Sequence, residues 1–408
     1  MKAIISNIKA REVLDSRGNP TIEVEVYSGD VFARSIVPSG ASTGESEAYE
    51  LRDNDKSRYL GKGVLKAIYN VENIIKPTLI GKDIFDIEKI DELMIKLDNS
   101  SNKKNLGANA ILGVSMACVV LASKLKNKPL YEHLSNEKTP SVARMMLNVI
   151  NGGSHAGFSF DIQEFMIVPI KKESFLDSLR KSVEVYQNLK LILKEENLLT
   201  LVGDEGGFAP KLSSNKVAIE YILRAIKRAN YNEEDFKIAL DVAANEFYDK
   251  EKKLYFFEKK YITSEELLNY YNYLVKKYPI ISIEDPFYEK DFSAWEKITS
   301  ILGNKIQIVG DDLFTTNIKL LKYGIEKKLA NAILIKPNQI GSISETLKTI
   351  KYAKDSNFNI VISHRSGESE DVFISHLASS FKNSQIKTGA PSRGERTAKY
   401  NEMLRIHE

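Results

Sequence analysis

Ala332-Ile333-Leu334-Ile335-Lys336-Pro337 is a short apolar run stopped abruptly by a lysine. Four residues without the 3.6-residue spacing of an amphipathic helix read as a strand buried on both faces. Outward from it the pattern recurs. Towards the N-terminus, Ile306 to Val309 precedes Asp311, Ile280 to Ile283 precedes Glu284, and Ile238 to Leu240 precedes Asp241. Towards the C-terminus, Ile360 to Ser363 precedes His364, and Ile386 precedes Lys387. Leu201-Val202 before Asp204-Glu205 reads as a further member of the series. Helical stretches separate the runs, and strands alternating with helices predict a parallel sheet. So many repeats in about 260 residues suit a closed α/β barrel better than an open sheet.

Barrels of this kind carry their chemistry at the C-terminal ends of the strands. There the sequence sets Glu205, Asp241, Glu284, Asp311, Lys336, His364-Arg365-Ser366 and Lys387. Asp241, Glu284 and Asp311 on neighbouring strands form an oxygen-rich site that suits Mg²⁺, with coordination left for water or substrate. Zinc does not suit it, because there is one cysteine and His155 has no second histidine at metal-binding spacing. Two lysines and an arginine on the same rim make room for a highly anionic ligand, and phosphate plus carboxylate is the natural choice. A lysine facing a metal and other cations has its charged form disfavoured, so Lys336 is a candidate base beside a carboxylate. Glu205 is a candidate acid toward a leaving group.

Each of these residues also has a plainer reading. Asp241 or Glu284 alone is commonly a helix N-cap or surface carboxylate, and Lys336 and Lys387 alone are strand-to-loop charges. His364-Arg365-Ser366 caps the helix that follows as readily as it binds phosphate. The coincidence of all of them at strand ends favours a site.

The first part of the chain has a different pattern. Ile22 to Tyr27 alternates apolar residues with Glu23 and Glu25, the signature of a half-buried strand, and Val31 to Val37 follows a Ser28-Gly29-Asp30 turn. Helical patterns then occupy 63–74, 84–96 and 109–124. A small α+β domain at 1–135 is expected to cap a barrel domain at 136–408. The loops Pro38 to Gly44 and Asn151 to Gly157 are glycine-bounded, either movable covers or plain turns.

Composition bounds the function. The chain has 408 residues, 43% hydrophobic and 28% charged, which suits a soluble globular protein with a sizeable core. Fifty-eight Lys and Arg are interspersed with fifty-five Asp and Glu, so neither a nucleic-acid surface nor a membrane partner is indicated. Lys276-Lys277 and Lys327-Lys328 read as solvated helix faces. Residues 1–19 hold no signal-peptide core, and the single cysteine, Cys118, lies in an apolar run. A buried, inert thiol and a cytoplasmic protein are expected.

Ten ordered motifs give a resemblance that runs from Arg11 to Arg405. They include L-D-S-R-G-N-P at 14–20, S-G-A-S-T-G at 39–44, N-G-G-S-H-A-G at 151–157 and Q-E-F-M-I at 163–167. G-D-E-G-G-F-A-P at 203–210, S-I-E-D-P-F at 282–287, I-K-P-N-Q-I-G at 335–341 and S-H-R-S-G-E at 363–368 continue the series. The sequence resembles the enolase family. The resemblance implies an N-terminal α+β domain on an eight-stranded barrel whose first strands depart from simple parallel order. It implies Mg²⁺-dependent, reversible dehydration of 2-phosphoglycerate to phosphoenolpyruvate, with two Mg²⁺ per site. Asp241, Glu284 and Asp311 match the ligands of the first, and Ser42 matches a loop residue that joins the second through the substrate phosphate. Lys336 matches the base and Glu205 the acid.

His155, Arg365 and Ser366 match groups near the phosphate and leaving hydroxyl, with His364 beside them. Lys387 matches a residue that steadies the substrate carboxylate, and Gln163 and Glu164 match supporting polar groups. Asp312 has no ligand counterpart. Glu23 and Arg405 match subunit contacts, so a homodimer or an assembly of dimers is implied. Gly157-Phe158-Ser159-Phe160 departs from the family's polar covering loop, and 141–146 lacks the prolines usual there. The alternatives are another acid lyase or racemase of the same superfamily, or a scaffold or surface-adhesin role added to catalysis.

Overall fold

A computed structural model describes residues 3–40, 44–135, 137–157 and 160–408, apart from the side chains of 155 and 156. Strands β1 (Asn7–Leu14), β2 (Pro20–Ser28) and β3 (Val31–Ile36) form an antiparallel meander. Ile22, Val24 and Val26 are buried, while Glu23 and Glu25 alternate with them and pair with Arg11 of β1. The strand and its alternation are as read, but it is not half-buried, because Glu23 and Glu25 are themselves buried beneath Arg11.

β1 escapes that reading because Glu12 interrupts its apolar face. Glu12 is anchored there by Arg58 and by the Val64 amide at 3.1 Å. The helix Ala108–Leu125 lies on β2 and β3. It is long and apolar enough to cross a membrane, yet 83% of it is buried in the protein. Gly113 allows the close approach, since a Cβ there would meet Val24 Cγ2 at 2.6 Å. Cys118 sits fully buried in this helix, and burial pushes its thiol well above the ordinary range.

The rest of the chain supplies β4 (Arg144–Asn151), β5 (Glu164–Pro169) and β6 (Phe236–Asp241). A small separate sheet follows, β7 (Tyr248–Asp249), β8 (Leu254–Phe257) and β9 (Lys260–Ile262). Then come β10 (Ile280–Glu284), β11 (Gln307–Gly310), β12 (Ala332–Ile335), β13 (Asn359–Ser363) and β14 (Gln385–Lys387). The order β10-β11-β12-β13-β14-β4-β5-β6 closes into an eight-stranded barrel. β5 is antiparallel to both β4 and β6, and every other neighbouring pair is parallel.

This corrects one strand of the sequence reading. Leu201 and Val202 are 69% and 37% exposed and make only an isolated bridge, Val202 to Phe208. Two barrel strands stand in that pair's place, β4 and β5, and β5 runs backwards. No long helix separates it from β4, so the strand-helix alternation is absent there. Its polar residue, Glu164, precedes the apolar run, because a reversed strand brings its first residue to the mouth.

Met146, Met166, Val168, Ala239, Val309, Ala332, Leu334 and Val361 fill the barrel interior. They separate the mouth at the C-terminal ends of the parallel strands from the floor at the other end. The N-terminal helices hold the barrel from outside, since Asp91 and Ser115 accept the Ser344 and Ile343 amides that open the helix Ile343–Asp355, both at 2.9 Å.

Candidate active site

Asp241 and Glu284 end β6 and β10, Asp311 follows β11, Lys336 follows β12, Lys387 ends β14 and Glu164 opens β5. Lys387 is the hub. Its Nζ lies 2.7 Å from Asp241 Oδ2, 2.9 Å from Glu284 Oε1 and 3.2 Å from Glu164 Oε1. Lys336 Nζ lies 2.5 Å from Asp311 Oδ2, whose other oxygen accepts from Gln339 Nε2 at 2.8 Å.

Burial sets the electrostatics. It pushes the carboxyls of Glu164 and Glu284 well above their usual range, and neighbouring carboxylates add to the effect. Asp312 is pushed up to about 8 by burial and by Asp311. Burial works against the Lys387 ammonium, but Asp241, Glu164 and Glu284 outweigh it and hold the group well above its ordinary value. Lys336 behaves alike. Burial opposes its charge, Asp311 outweighs burial, and the ammonium is favoured. Arg365 and Lys387 oppose the charge as expected, and it is Asp311 that outweighs them.

The backbone is strained where it turns out of the strands. Ala243, Asp285, Thr315 and Thr316 have φ of 47°, 41°, 43° and 56°. Such conformations cost on the order of 1–3 kcal/mol each and persist when the surroundings over-determine them. Asp285 accepts the Asp311 and Asp312 amides at 2.8 and 2.9 Å. Thr316 Oγ1 accepts the Lys336 amide at 2.8 Å and donates to Gln339 Oε1 at 2.9 Å. The strained turns thereby aim Asp311 and Lys336.

Other expected residues join the same cavity. Arg365 grips Glu47 through both terminal nitrogens, at 3.0 and 3.2 Å, and Ser366 lines the wall beside it. His364-Arg365-Ser366 does not cap the following helix, which begins at Phe373 after Val372. Gln163 lies next to Glu164 and accepts from Ser154 Oγ at 2.9 Å. Glu205 comes from a loop rather than a strand end. Its Oε2 accepts from Asn148 Nδ2 at 3.1 Å and lies 3.5 Å from His364 Nε2. Ser42, Phe158, Ser159 and the side chain of His155 lie outside the described residues. Phe160 of the unusual loop is buried against Phe165 and lies under Gly152, where a Cβ would meet its ring at 2.4 Å.

Sequence reasoning passed over Glu47, Asn148, Asp285, Gln339 and Arg396. Asp285 and Gln339 stand inside motifs already singled out, one residue after Glu284 and three after Lys336. Glu47 and Arg396 carried no local signal.

The donor set fits a hard divalent cation. Eight carboxylates and three cations line the cavity, and Glu164 Oε2 and Glu284 Oε2 are buried without a hydrogen-bond partner among the described residues. Asp285, Asp311 and Asp312 bring oxygens within 4.8 Å of one another. In that trio Asp285 accepts backbone amides and Asp312 accepts from Asn245 at 2.7 Å, while Asp311 faces the Lys336 ammonium, whose place an ion could take. Asp241, Glu284 and Asp311 stand on three adjacent strands, each paired with the ammonium of Lys387 or Lys336, and together could offer oxygens to an ion that displaces those ammonium groups.

The family description "Enolase, C-terminal TIM barrel domain" matches residues 141–408, and "Enolase, N-terminal domain" matches residues 5–134. The pair indicates a lyase- or racemase-type enzyme of a family whose proteins bind Mg²⁺. Matched over nearly its whole length, and with the closed barrel on which such chemistry is carried, the chain belongs to the enolase family.

Proposed function

We propose that this protein catalyses the reversible, Mg²⁺-dependent dehydration of 2-phosphoglycerate to phosphoenolpyruvate. One observation carries the reading: a lysine and a glutamate, Lys336 after β12 and Glu205 on a loop between β5 and β6, line one cavity together with two further cations and a surplus of carboxylates. That is the arrangement for removing a proton from one carbon and a hydroxide from the next.

In this reading Lys387 and the polar groups around Gln163 and Glu164 orient the substrate carboxylate. Arg365 and Ser366 face its phosphate, with Ser42 and His155 as further contacts. Lys336 Nζ takes the proton beside the carboxylate, and Glu205 delivers a proton to the departing hydroxyl. Mg²⁺ held by Asp241, Glu284 and Asp311 would supply charge for the electron-rich carboxylate and draw Asp311 away from Lys336, lowering the cost of a neutral amine.

Purified protein with Mg²⁺ should form phosphoenolpyruvate from 2-phosphoglycerate. Lys336→Ala should abolish exchange of the substrate's α-proton with solvent deuterium and lower turnover by about 10²- to 10⁴-fold. Undiminished exchange in that variant removes Lys336 as the base. Bound metal with no turnover of any phosphoglycerate points instead to another acid lyase or racemase.

We further infer a homodimer or an assembly of dimers. Glu23 is buried beneath Arg11 and lies 3.8 Å from Arg34, while Arg405 is exposed beside Glu402. Sedimentation of the wild type and of Arg405→Glu tests this, and a monomeric wild type refutes it.

A further inference from the structure

We infer that Arg396 is a positioning residue that fixes the tautomer of His364, so that the imidazole carries its hydrogen on Nε2 and directs it at Glu205. Arg396 lies in the first turn of the last helix, Gly394–His407, and is completely buried. Its Nη1 is 2.6 Å from His364 Nδ1. A guanidinium has five donors and no acceptor, and it keeps its charge in proteins. Nδ1 must therefore accept, and a neutral imidazole that accepts at Nδ1 bears its hydrogen on Nε2.

The guanidinium has no freedom to turn away. It also donates to the carbonyls of Arg365 and Ser366, each at 2.7 Å, and of Asp204 at 2.9 Å. One side chain thus ties the loop bearing Glu205 to the turn bearing His364. Burial lowers the imidazole to about 4, so the neutral ring is the form present near neutral pH.

The consequence falls on Glu205. Its Oε2 accepts from Asn148 Nδ2 at 3.1 Å and faces His364 Nε2 at 3.5 Å, the outer limit of a hydrogen bond. With two donors aimed at Oε2, a protonated Glu205 carries its hydrogen on Oε1. The other tautomer would set N–H against guanidinium donors and offer a bare Nε2 able to take the Glu205 proton. This consequence rests on the reading of Glu205 as the acid, whereas the tautomer itself does not.

Long-range proton–nitrogen correlation spectra of protein labelled in its five histidines decide the matter, with His364 assigned through His364→Gln. The wild type should show the Nε2–H form of His364, unchanged from about pH 6 to about pH 8. Arg396→Met should shift it to the Nδ1–H form or a mixture and lower turnover about 100-fold with KM little changed, and Arg396→Lys should restore both in large part. An Nδ1–H or doubly protonated ring in the wild type overturns the inference, as does an unaltered Nε2–H ring in Arg396→Met. If Arg396→Met does not fold, the wild-type and Arg396→Lys spectra still decide. An Nε2–H ring in a protein inactive on 2-phosphoglycerate would leave the tautomer standing and remove the proposed reaction.

Discussion

The two ends of the barrel are made by the same eight strands and have opposite characters. The mouth is crowded with buried charge, and only about 50 Å³ remains open to water among eight carboxylates and three cations. The floor is a wider cavity of about 830 Å³, lined by Arg144, Lys237, Lys305, Lys382 and a belt of amides, with no carboxylate. At its centre Gln307 and Gln385 pair across the barrel, Gln385 Nε2 donating to Gln307 Oε1 at 2.6 Å. The apolar plug between them keeps the two apart. Neutral amide hydrogen bonds span the floor, and its cations are mostly exposed to solvent, so their charge costs little. The mouth keeps groups whose desolvation opposes folding, the pattern expected where stability has been traded for chemistry.

Removing the hub of the mouth should sharpen this contrast most. Lys387→Met leaves Asp241, Glu284 and Glu164 facing one another without their shared ammonium, and breaking buried ion pairs of this kind costs about 3–5 kcal/mol. Denaturant unfolding in chelator measures that loss. Adding Glu164→Gln to Lys387→Met should recover part of it, because one of the unpaired charges is gone. A loss no larger than that of a surface lysine would mean that the mouth is not under charge strain.

The next effect is a pH slope to which the mouth contributes most near neutral pH, buried carboxyls elsewhere such as Asp91 titrating lower, at about 6. Asp312 is raised to about 8 from an unfolded value near 3.8, and Glu164, Glu284 and Asp285 are raised in the same direction by burial. A carboxyl raised on folding contributes stability that is complete below its unfolded pKa and is lost as pH rises through its folded pKa. For Asp312 that window runs from about 4 to about 8. The raised lysines titrate above it, and Asp311, lowered by Lys336 despite burial, titrates below it. The Tm of the metal-free protein should therefore fall between about pH 6 and about pH 8, and Asp312→Asn should flatten the fall. Mg²⁺ should raise Tm most at the alkaline end and release protons on binding, which calorimetry in buffers of different ionisation enthalpy detects. A flat profile would erase the distinction between the two ends.

That distinction was half legible in the sequence. Asp241, Glu284, Asp311, Lys336, His364 and Lys387 were found because a strand buried on both faces is a bare apolar run, and a polar residue at its end stands out. The rule needs a strand that points the same way and ends on a charge. β4 ends on Asn151 and was passed over. β5 runs backwards, so Glu164 was recognised by its motif and not by its position, and the solvent-facing pair Leu201-Val202 was taken for a barrel strand. Glu205 was reached through that misread strand, and its own motif at 203–210 marked it independently. Glu47 and Arg396 were out of reach, since one meets Arg365 across 318 residues of chain and the other reads as a routine charge in a terminal helix. The floor left no trace either, because glutamines at strand beginnings are as common as any polar residue.

The smallest expected effect belongs to that floor. Gln307 Nε2 donates to Ser282 Oγ at 3.2 Å and to Gln385 Oε1 at 3.3 Å, and it receives the shorter bond from Gln385. Gln307→Ala removes all three, but both glutamines are only partly buried and border the open cavity, so water can replace the lost partner. The loss of stability should be about 1 kcal/mol or less, the net worth of a neutral hydrogen bond that solvent can substitute. Activity and the pH slope of Tm should both stay as in the wild type, because the plug of Met146, Met166, Val168 and Leu334 lies between this change and the mouth. A drop in turnover of tenfold or more, with the fold intact, would require that the floor communicates with the mouth through the plug, and the two ends would then have to be treated as one coupled unit.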